Sequence, residues 1–127
     1  MSLRVLVVED EADLRLSLGL TLRVAGHEVV EAATGQEGLA AALHPADGEE
    51  PDAVLLDLRL PDLDGWEVIE QLRAAGRFPE LPVVVASADA DPAARQRARA
   101  LGCVGYLVKP FEPEQLLALL DALPRAR

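Results

Sequence analysis

Five chemically active side chains each come at the end of an apolar stretch, where a strand of a sheet is expected to end. They are Glu9, Asp10, Asp57, Ser87 and Lys109. Ligands of an open parallel sheet bind beyond the carboxyl ends of its strands, so these side chains are expected to converge at one edge. Three carboxylates, a hydroxyl and an amine could together bind a metal ion and a phosphate group.

The three carboxylates predict a magnesium site. Asp57 directly follows the apolar residues Val54, Leu55 and Leu56, which places its charge at the tip of a buried strand. Three neighbouring negative charges repel each other unless something offsets them, and a divalent cation is the simplest remedy. Oxygen ligands without His or Cys favour Mg²⁺. Alone, Glu9 and Asp10 would more often be an acidic helix start, favoured by the helix dipole.

A magnesium ion at this edge points to phosphoryl transfer. That chemistry requires mainly positioning and charge neutralisation, so an aspartate nucleophile, a metal and one cation are sufficient. Two strand spacings, about 10 Å, separate Lys109 from Asp57, and a lysine side chain spans much of that gap. Alone, a lysine before Pro110 would more often be a turn residue with a solvated amine. The combination favours the phosphate site.

Five strand and helix pairs are predicted to position these residues. Short β-branched runs alternate with segments of helical period. The predicted strands are Arg4–Glu9, Glu28–Glu31, Ala53–Asp57, Pro82–Ser87 and Val104–Val108. The predicted helices are Ala12–Ala25, Gly35–Leu43, Gly65–Ala75, Pro92–Leu101 and Pro113–Leu123.

This alternation is typical of an α/β, doubly wound fold, in which helices cover both faces of a parallel sheet. Leu14, Leu18 and Leu22 mark a buried stripe of the first helix, and Gly26 and Gly102 end two helices. The segment 44–51 is predicted to be a solvated surface loop. With no internal repeat or linker, residues 1–127 are predicted to form one domain, without an output domain.

Composition restricts the partners. A formal charge of −10 repels nucleic acid and anionic lipid, so direct nucleic-acid binding is disfavoured. No segment approaches the roughly twenty apolar residues of a membrane span. Cys103 is the only cysteine, which fits a reduced intracellular compartment. We therefore expect a cytoplasmic protein that does not bind membranes.

Four motifs distributed along the sequence resemble those of the receiver domains of bacterial response regulators, and the likeness covers nearly the whole chain. They are Val7–Glu11 (VVEDE), Leu55–Gly65 (LLDLRLPDLDG), Val85–Ala88 (VASA) and Gly105–Phe111 (GYLVKPF). The resemblance implies a flavodoxin-like (βα)5 fold with strand order 2-1-3-4-5, which sets the first and third strands side by side. It also implies a signalling domain of a two-component system that turns over no external substrate, and so is not an enzyme in that sense.

The resemblance also implies a role for each site residue. Asp57 would be phosphorylated by a phosphohistidine, with Lys109 and Ser87 holding the phosphate. Asp10 and Asp57 would bind Mg²⁺ directly, Glu9 largely through water, and Arg59 through its main-chain carbonyl. Ser87 and Tyr106 would form the switch, in which the tyrosine ring turns inward. Pro61, Gly65 and Pro110 would be structural, the last after a cis peptide bond.

The implied partners are a sensor histidine kinase or phosphotransfer protein, and a downstream effector or an output domain missing here. The face made by the fourth helix, fifth strand and fifth helix would be the output surface. The chain departs there from winged-helix regulators, because Val104 and Gly105 replace two acids and Leu119 replaces an arginine. These departures disfavour the salt-bridged dimer of that class, while a phosphorylation-dependent dimer of another kind stays among the assemblies that the resemblance implies. We further hypothesise that Arg59 and Asp89 pair across the pocket mouth.

Two alternatives remain open. A haloacid dehalogenase-type phosphatase also uses a strand-end aspartate and magnesium, but it needs a second aspartate where this chain has Arg59. A receiver that binds partners without being phosphorylated usually lacks an acid or the lysine, and this chain has them all. A competent phosphoacceptor is therefore the preferred interpretation.

Overall fold

A computed structural model describes residues 2–123, which fold into five strands and five helices. The end of the predicted domain, residues 124–127, lies outside the described residues. The strands are β1 (Arg4–Val8), β2 (Glu28–Ala32), β3 (Ala53–Asp57), β4 (Val83–Ser87) and β5 (Gly105–Val108). The helices are α1 (Ala12–Val24), α2 (Gly35–Leu43), α3 (Gly65–Ala74), α4 (Pro92–Leu101) and α5 (Pro113–Asp121).

All five strands are parallel and lie in the order β2-β1-β3-β4-β5, which confirms the predicted doubly wound α/β fold. Predicted element ends differ from the observed ones by at most two residues. The largest difference is at α5, which ends at Asp121 instead of Leu123. The register pairs Val8 with Leu56, so β1 and β3 end side by side.

The core consists of two apolar clusters, one on each face of the sheet. Leu6 and Val8 of β1 pack with residues of α2, α3 and α4, whereas Val5 and Val7 pack with residues of α1 and α5. Successive strand residues point to opposite faces, so a strand covered on both sides is apolar throughout. This explains the continuous apolar runs of the three inner strands, β1, β3 and β4, whereas the edge strand β2 carries Glu28 and Glu31.

The helix ends agree with the glycine signals. Gly26 and Gly102 have φ values of 95° and 111°, which a residue with a Cβ adopts at a cost. On α1, Leu18 and Leu22 are buried, and Leu14 packs against the same cluster, so the predicted stripe is confirmed. Within residues 2–123, no helix is both long and apolar enough to cross a membrane.

Two helix glycines should respond oppositely to alanine because of what lies opposite each. A Cβ at Gly38 would lie 2.8 Å from Val8 Cγ2, whereas one at Gly19 would first meet the flexible end of Arg23, at 3.0 Å. Both substitutions gain about 0.5–1 kcal/mol of helix preference. Overpacking costs about 1–3 kcal/mol, so we expect Gly38→Ala to destabilise the fold and Gly19→Ala to be neutral or stabilising.

Urea unfolding of the two variants measures this difference, with each serving as the control for the other. Equal free energies of unfolding for the two variants would contradict the close contact between Gly38 of α2 and Val8 of β1.

Candidate functional site

The three predicted metal ligands lie together at the carboxyl ends of β1 and β3. One carboxylate oxygen from each of Glu9, Asp10 and Asp57 lies within 4.8 Å of the others. Glu9 and Asp57 are buried, with exposed fractions of 3% and 6%, whereas Asp10 is exposed. Two of the three charges are therefore shielded from the water that would otherwise screen their repulsion.

Lys109 extends from the end of β5 to this cluster. Its Nζ lies 2.6 Å from Glu9 Oε1 and 3.2 Å from Asp57 Oδ2. Burial disfavours the ammonium form, but the hydrogen bond to Glu9 and the charge of Asp57 outweigh it and raise the pKa of Lys109. A charged Lys109 can thus serve as the cation of the site.

Burial of the Glu9 carboxylate is the unfavourable part of this arrangement. Burial raises the pKa of Glu9 above its ordinary value, and the hydrogen bond from Lys109 lowers it by less. The charge of Asp57 raises the pKa of Glu9 further. When all groups are ionised, three carboxylates and one ammonium leave two net negative charges. An all-oxygen donor set with this charge suits a hard divalent cation such as Mg²⁺.

The loop after Asp57 folds back on the strand end. The Arg59 N–H donates to Asp57 Oδ1 at 3.1 Å, and the Gly65 N–H donates to Leu58 O at 2.8 Å. A Cβ at Gly65 would lie only 2.7 Å from Leu58 Cα, so this position requires glycine for close approach. Pro61 lies exposed in the same loop. Arg59 is thus held beside Asp57 by its own backbone.

Ser87 and Tyr106 both contact the backbone of Asp89, in the loop between β4 and α4. Ser87 ends β4 with 1% exposure, and its Oγ accepts the Asp89 N–H at 3.0 Å. The Tyr106 hydroxyl donates to Asp89 O at 2.7 Å, and its ring packs partly buried against the core. The two residues of the implied switch are therefore linked through one residue.

One hypothesis from the sequence is not supported. Among the ion pairs between described residues, none joins Arg59 to Asp89. Asp89 Oδ1 instead accepts the N–H of Asp91 at 2.9 Å, which turns the carboxylate toward its own loop. The Lys109–Pro110 peptide is cis, as the resemblance implied, and so is Phe78–Pro79, which the sequence did not indicate.

Arg15 contacts the site and was not identified from the sequence. Its Nη1 donates to Glu9 O at 2.8 Å, and its Nε lies 3.4 Å from Glu31 Oε1 on β2. Arg15, which lies on α1, therefore links the loop between β1 and α1 to the neighbouring strand β2. Its position in the first turns of α1, five residues after Asp10, was the available signal.

The chain matches one known protein family over most of its length. The family model described as the response regulator receiver domain matches residues 5–121. The transcriptional regulatory protein PrrA of Mycobacterium tuberculosis is 42% identical over 124 residues, which cover 98% of this chain and 51% of that protein. The response regulator MprA of Mycolicibacterium vanbaalenii is 41% identical over 125 residues, 98% of this chain and 52% of that protein. The chain spans about half the length of these relatives.

Solved structures agree with the fold. The chemotaxis protein CheY4 of Vibrio cholerae superposes with a TM-score of 0.84 at 32% identity, covering 98% of this chain and 100% of that one. The non-phosphorylated HemR receiver domain of Leptospira biflexa gives a TM-score of 0.80 at 30% identity, covering 98% of each chain. Both similarities therefore extend over nearly the whole of this chain.

In metal-free protein, Glu9→Gln should change how stability depends on pH. Because the pKa of Glu9 is raised, the folded chain keeps this proton at pH values where the unfolded chain has lost it. By linkage, the contribution of Glu9 to the free energy of unfolding falls as pH rises from the ordinary to the raised pKa. Urea unfolding in EDTA should therefore show Glu9→Gln gaining stability over the wild type across this window.

Above the raised pKa the difference should level off. Glu37→Gln makes the same change at an exposed position of α2 and serves as the control. If the difference in free energy of unfolding between Glu9→Gln and the wild type did not vary with pH, burial of the Glu9 charge would not destabilise the fold as inferred from its raised pKa.

Proposed function

The chain belongs to the response regulator receiver domain family of two-component systems, and from this premise we propose that Asp57 is its phosphoacceptor. The observation that carries the proposal is the position of Asp57 at the end of β3. There its buried carboxylate lies beside two other carboxylates and 3.2 Å from the Lys109 amine. This combines a nucleophile, a metal-binding cluster and a cation at one point.

We propose that Glu9, Asp10, Asp57 and the Arg59 main-chain carbonyl hold Mg²⁺. Asp10 and Asp57 would bind it directly, and Glu9 largely through water. When bound, the ion offsets the negative charge of the carboxylates and of an arriving phosphoryl group. The net charge of the ionised cluster, two negative charges with Lys109 included, supports this assignment.

In the proposed reaction, a carboxylate oxygen of Asp57 forms a bond to phosphorus while the phosphorus–nitrogen bond of a phosphohistidine breaks. The electron pair of that bond leaves with the imidazole. Lys109 would contact the new phosphoryl oxygens, and Ser87 would donate its hydroxyl to them. Both need only a local change, since Lys109 already contacts Asp57 and Ser87 ends the strand beside β3.

Receiver domains are signalling domains and are generally not enzymes. For this chain we propose only self-phosphorylation and slow hydrolysis of its own aspartyl phosphate. A dehalogenase-type phosphatase is disfavoured because the position that would carry its second aspartate holds Arg59. The other alternative, a binding module that works without phosphorylation, would be favoured if the folded chain failed to take up a phosphoryl group.

We propose that phosphorylation is read out through Asp89. A Ser87 hydroxyl that turns toward the phosphate must give up the Asp89 N–H, which it accepts in this structure at 3.0 Å. The same residue accepts the Tyr106 hydroxyl through its carbonyl, so a shift of the loop would reach β5. The switch would thus pass from the site to the surface formed by α4, β5 and α5.

That surface is the proposed output face, and it combines apolar and basic groups. Val104 is 42% exposed beside a hollow of about 180 Å³, which Arg95, Arg99 and Tyr106 also line. Leu119 packs directly over Gly105: its Cδ1 lies 2.6 Å from the point that a Cβ of residue 105 would occupy. Leu119 therefore covers β5 with an apolar side chain and presents no charge on this face. This arrangement supports recognition of an effector or of an output domain over a salt-bridged dimer.

A sensor histidine kinase or a phosphotransfer protein is the proposed phosphoryl donor. The full-length relatives PrrA and MprA are named as transcriptional and response regulators. We therefore propose that the receiver controls either an output domain or a separate effector protein.

Intact mass after incubation with acetyl phosphate and Mg²⁺ tests the phosphoacceptor. We expect the wild type to gain about 80 Da, one phosphoryl group, and Asp57→Asn or added EDTA to abolish the gain. Asp64→Asn, in the same loop, is the matched control and should be phosphorylated. No gain by a folded wild type would favour the phosphorylation-independent binding module.

Hydrogen exchange measured by mass spectrometry tests the switch. Phosphorylation should change exchange in the loop between β4 and α4 and in β5, because Asp89 links Ser87 to Tyr106. Ser87→Ala should still gain phosphate but lose the change in β5. A wild-type change confined to the neighbourhood of Asp57 would refute this route.

A further inference from the structure

Asp62 joins the loop that follows Asp57 to a helix far away in the sequence. Its Oδ1 accepts the Gly35 N–H at 2.7 Å, and its Oδ2 accepts the Gln36 N–H at 2.8 Å. These are the first two N–H groups of α2, which have no acceptor within their own helix. Asp62 thus bridges the segment 58–64 and the start of α2 with both carboxylate oxygens.

The start of α2 is arranged to receive this carboxylate. The side-chain Oγ1 of Thr34, the N-cap, accepts the next N–H, that of Glu37, at 3.0 Å. The N–H of Gln36 is the main cause that lowers the pKa of Asp62, so the side chain is ionised at neutral pH. The positive end of the helix dipole favours the same negative charge.

Packing makes the contact close. A Cβ at Gly35 would lie 2.9 Å from Leu63 Cβ and 3.2 Å from Asp62 Oδ1. Any larger residue at position 35 would push the loop away from α2. The absence of a side chain at Gly35 and the carboxylate of Asp62 therefore act together to seat the loop.

The segment 58–64 contains Arg59, whose carbonyl is a proposed metal ligand. Near its start, the segment is held by the bond from the Arg59 N–H to Asp57, and at its end Asp64 caps α3 by accepting the Glu67 N–H at 2.8 Å. Asp62 supplies the anchor between these points. Groups that orient metal ligands typically change metal affinity by about 10–100-fold when they are removed.

We propose that Asp62 is a positioning residue that sets the affinity of the site for a divalent metal ion by fastening the loop 58–64 to α2. The inference rests on the proposed function, because it assumes that Asp57 and the Arg59 carbonyl bind the metal. Asp62 itself acts through the loop and contacts neither the ion nor the phosphoryl group.

The test is Mn²⁺ binding, measured by electron paramagnetic resonance, with Mn²⁺ alone as the probe of the Mg²⁺ site. We expect Asp62→Ala to weaken binding by about 10-fold or more. Asp62→Asn keeps one acceptor oxygen for the two N–H groups and should be intermediate. Phosphorylation of Asp62→Ala should need more Mg²⁺ but reach the wild-type yield at saturation, a pattern that lost stability alone would not produce.

Glu37→Ala is the matched control. It removes the same charge from the same helix end, where the Glu37 side chain accepts the Ala33 N–H at 3.2 Å, but leaves the loop fastened. Wild-type affinity in both Asp62 variants, or an equal loss in Glu37→Ala, would overturn the inference alone. A folded wild type whose Mn²⁺ binding is absent or unaffected by Asp57→Asn would overturn the metal site and the inference together.

Discussion

The repulsion between carboxylates held at the ends of two adjacent strands is the constraint on which the site depends. Glu9 and Asp57 are almost fully buried, and Lys109 is within ion-pair distance of both. One ammonium cannot balance the three carboxylates that meet there when all are ionised. The folded chain therefore retains a local excess of negative charge that a divalent cation would relieve.

The rest of the fold can tolerate this cost because it is apolar and closely packed. Both faces of the sheet are covered, and β3 and β4 are buried along their whole length. The parallel arrangement also aligns the carboxyl ends of all strands at one edge, so residues distant in sequence meet there. Lys109 and Glu9 are 100 positions apart, yet their side chains are hydrogen-bonded.

The loops at this edge are held by polar contacts that connect different secondary-structure elements. Arg15 of α1 binds the carbonyl of Glu9 and lies beside Glu31 of β2, and Asp62 joins the loop after β3 to α2. Ser87 and Tyr106 meet at the backbone of Asp89. These contacts connect the site at the ends of β1 and β3 to the other three strands and to the helices α1 and α2, so a change at Asp57 has routes into the fold.

The sequence by itself determined the order of elements, the doubly wound sheet and the strand-end residues Glu9, Asp10, Asp57, Ser87 and Lys109. These follow from local patterns, since alternation of apolar runs and helical periods requires no knowledge of distant contacts. The family motifs also implied the cis peptide before Pro110. The tertiary structure alone decided how side chains pair. It turned the Asp89 carboxylate to its own loop instead of to Arg59, and it placed Arg15 and Asp62 at their partners. Such pairings depend on side-chain direction and on the separation of elements that are far apart in sequence, which no spacing along the chain encodes.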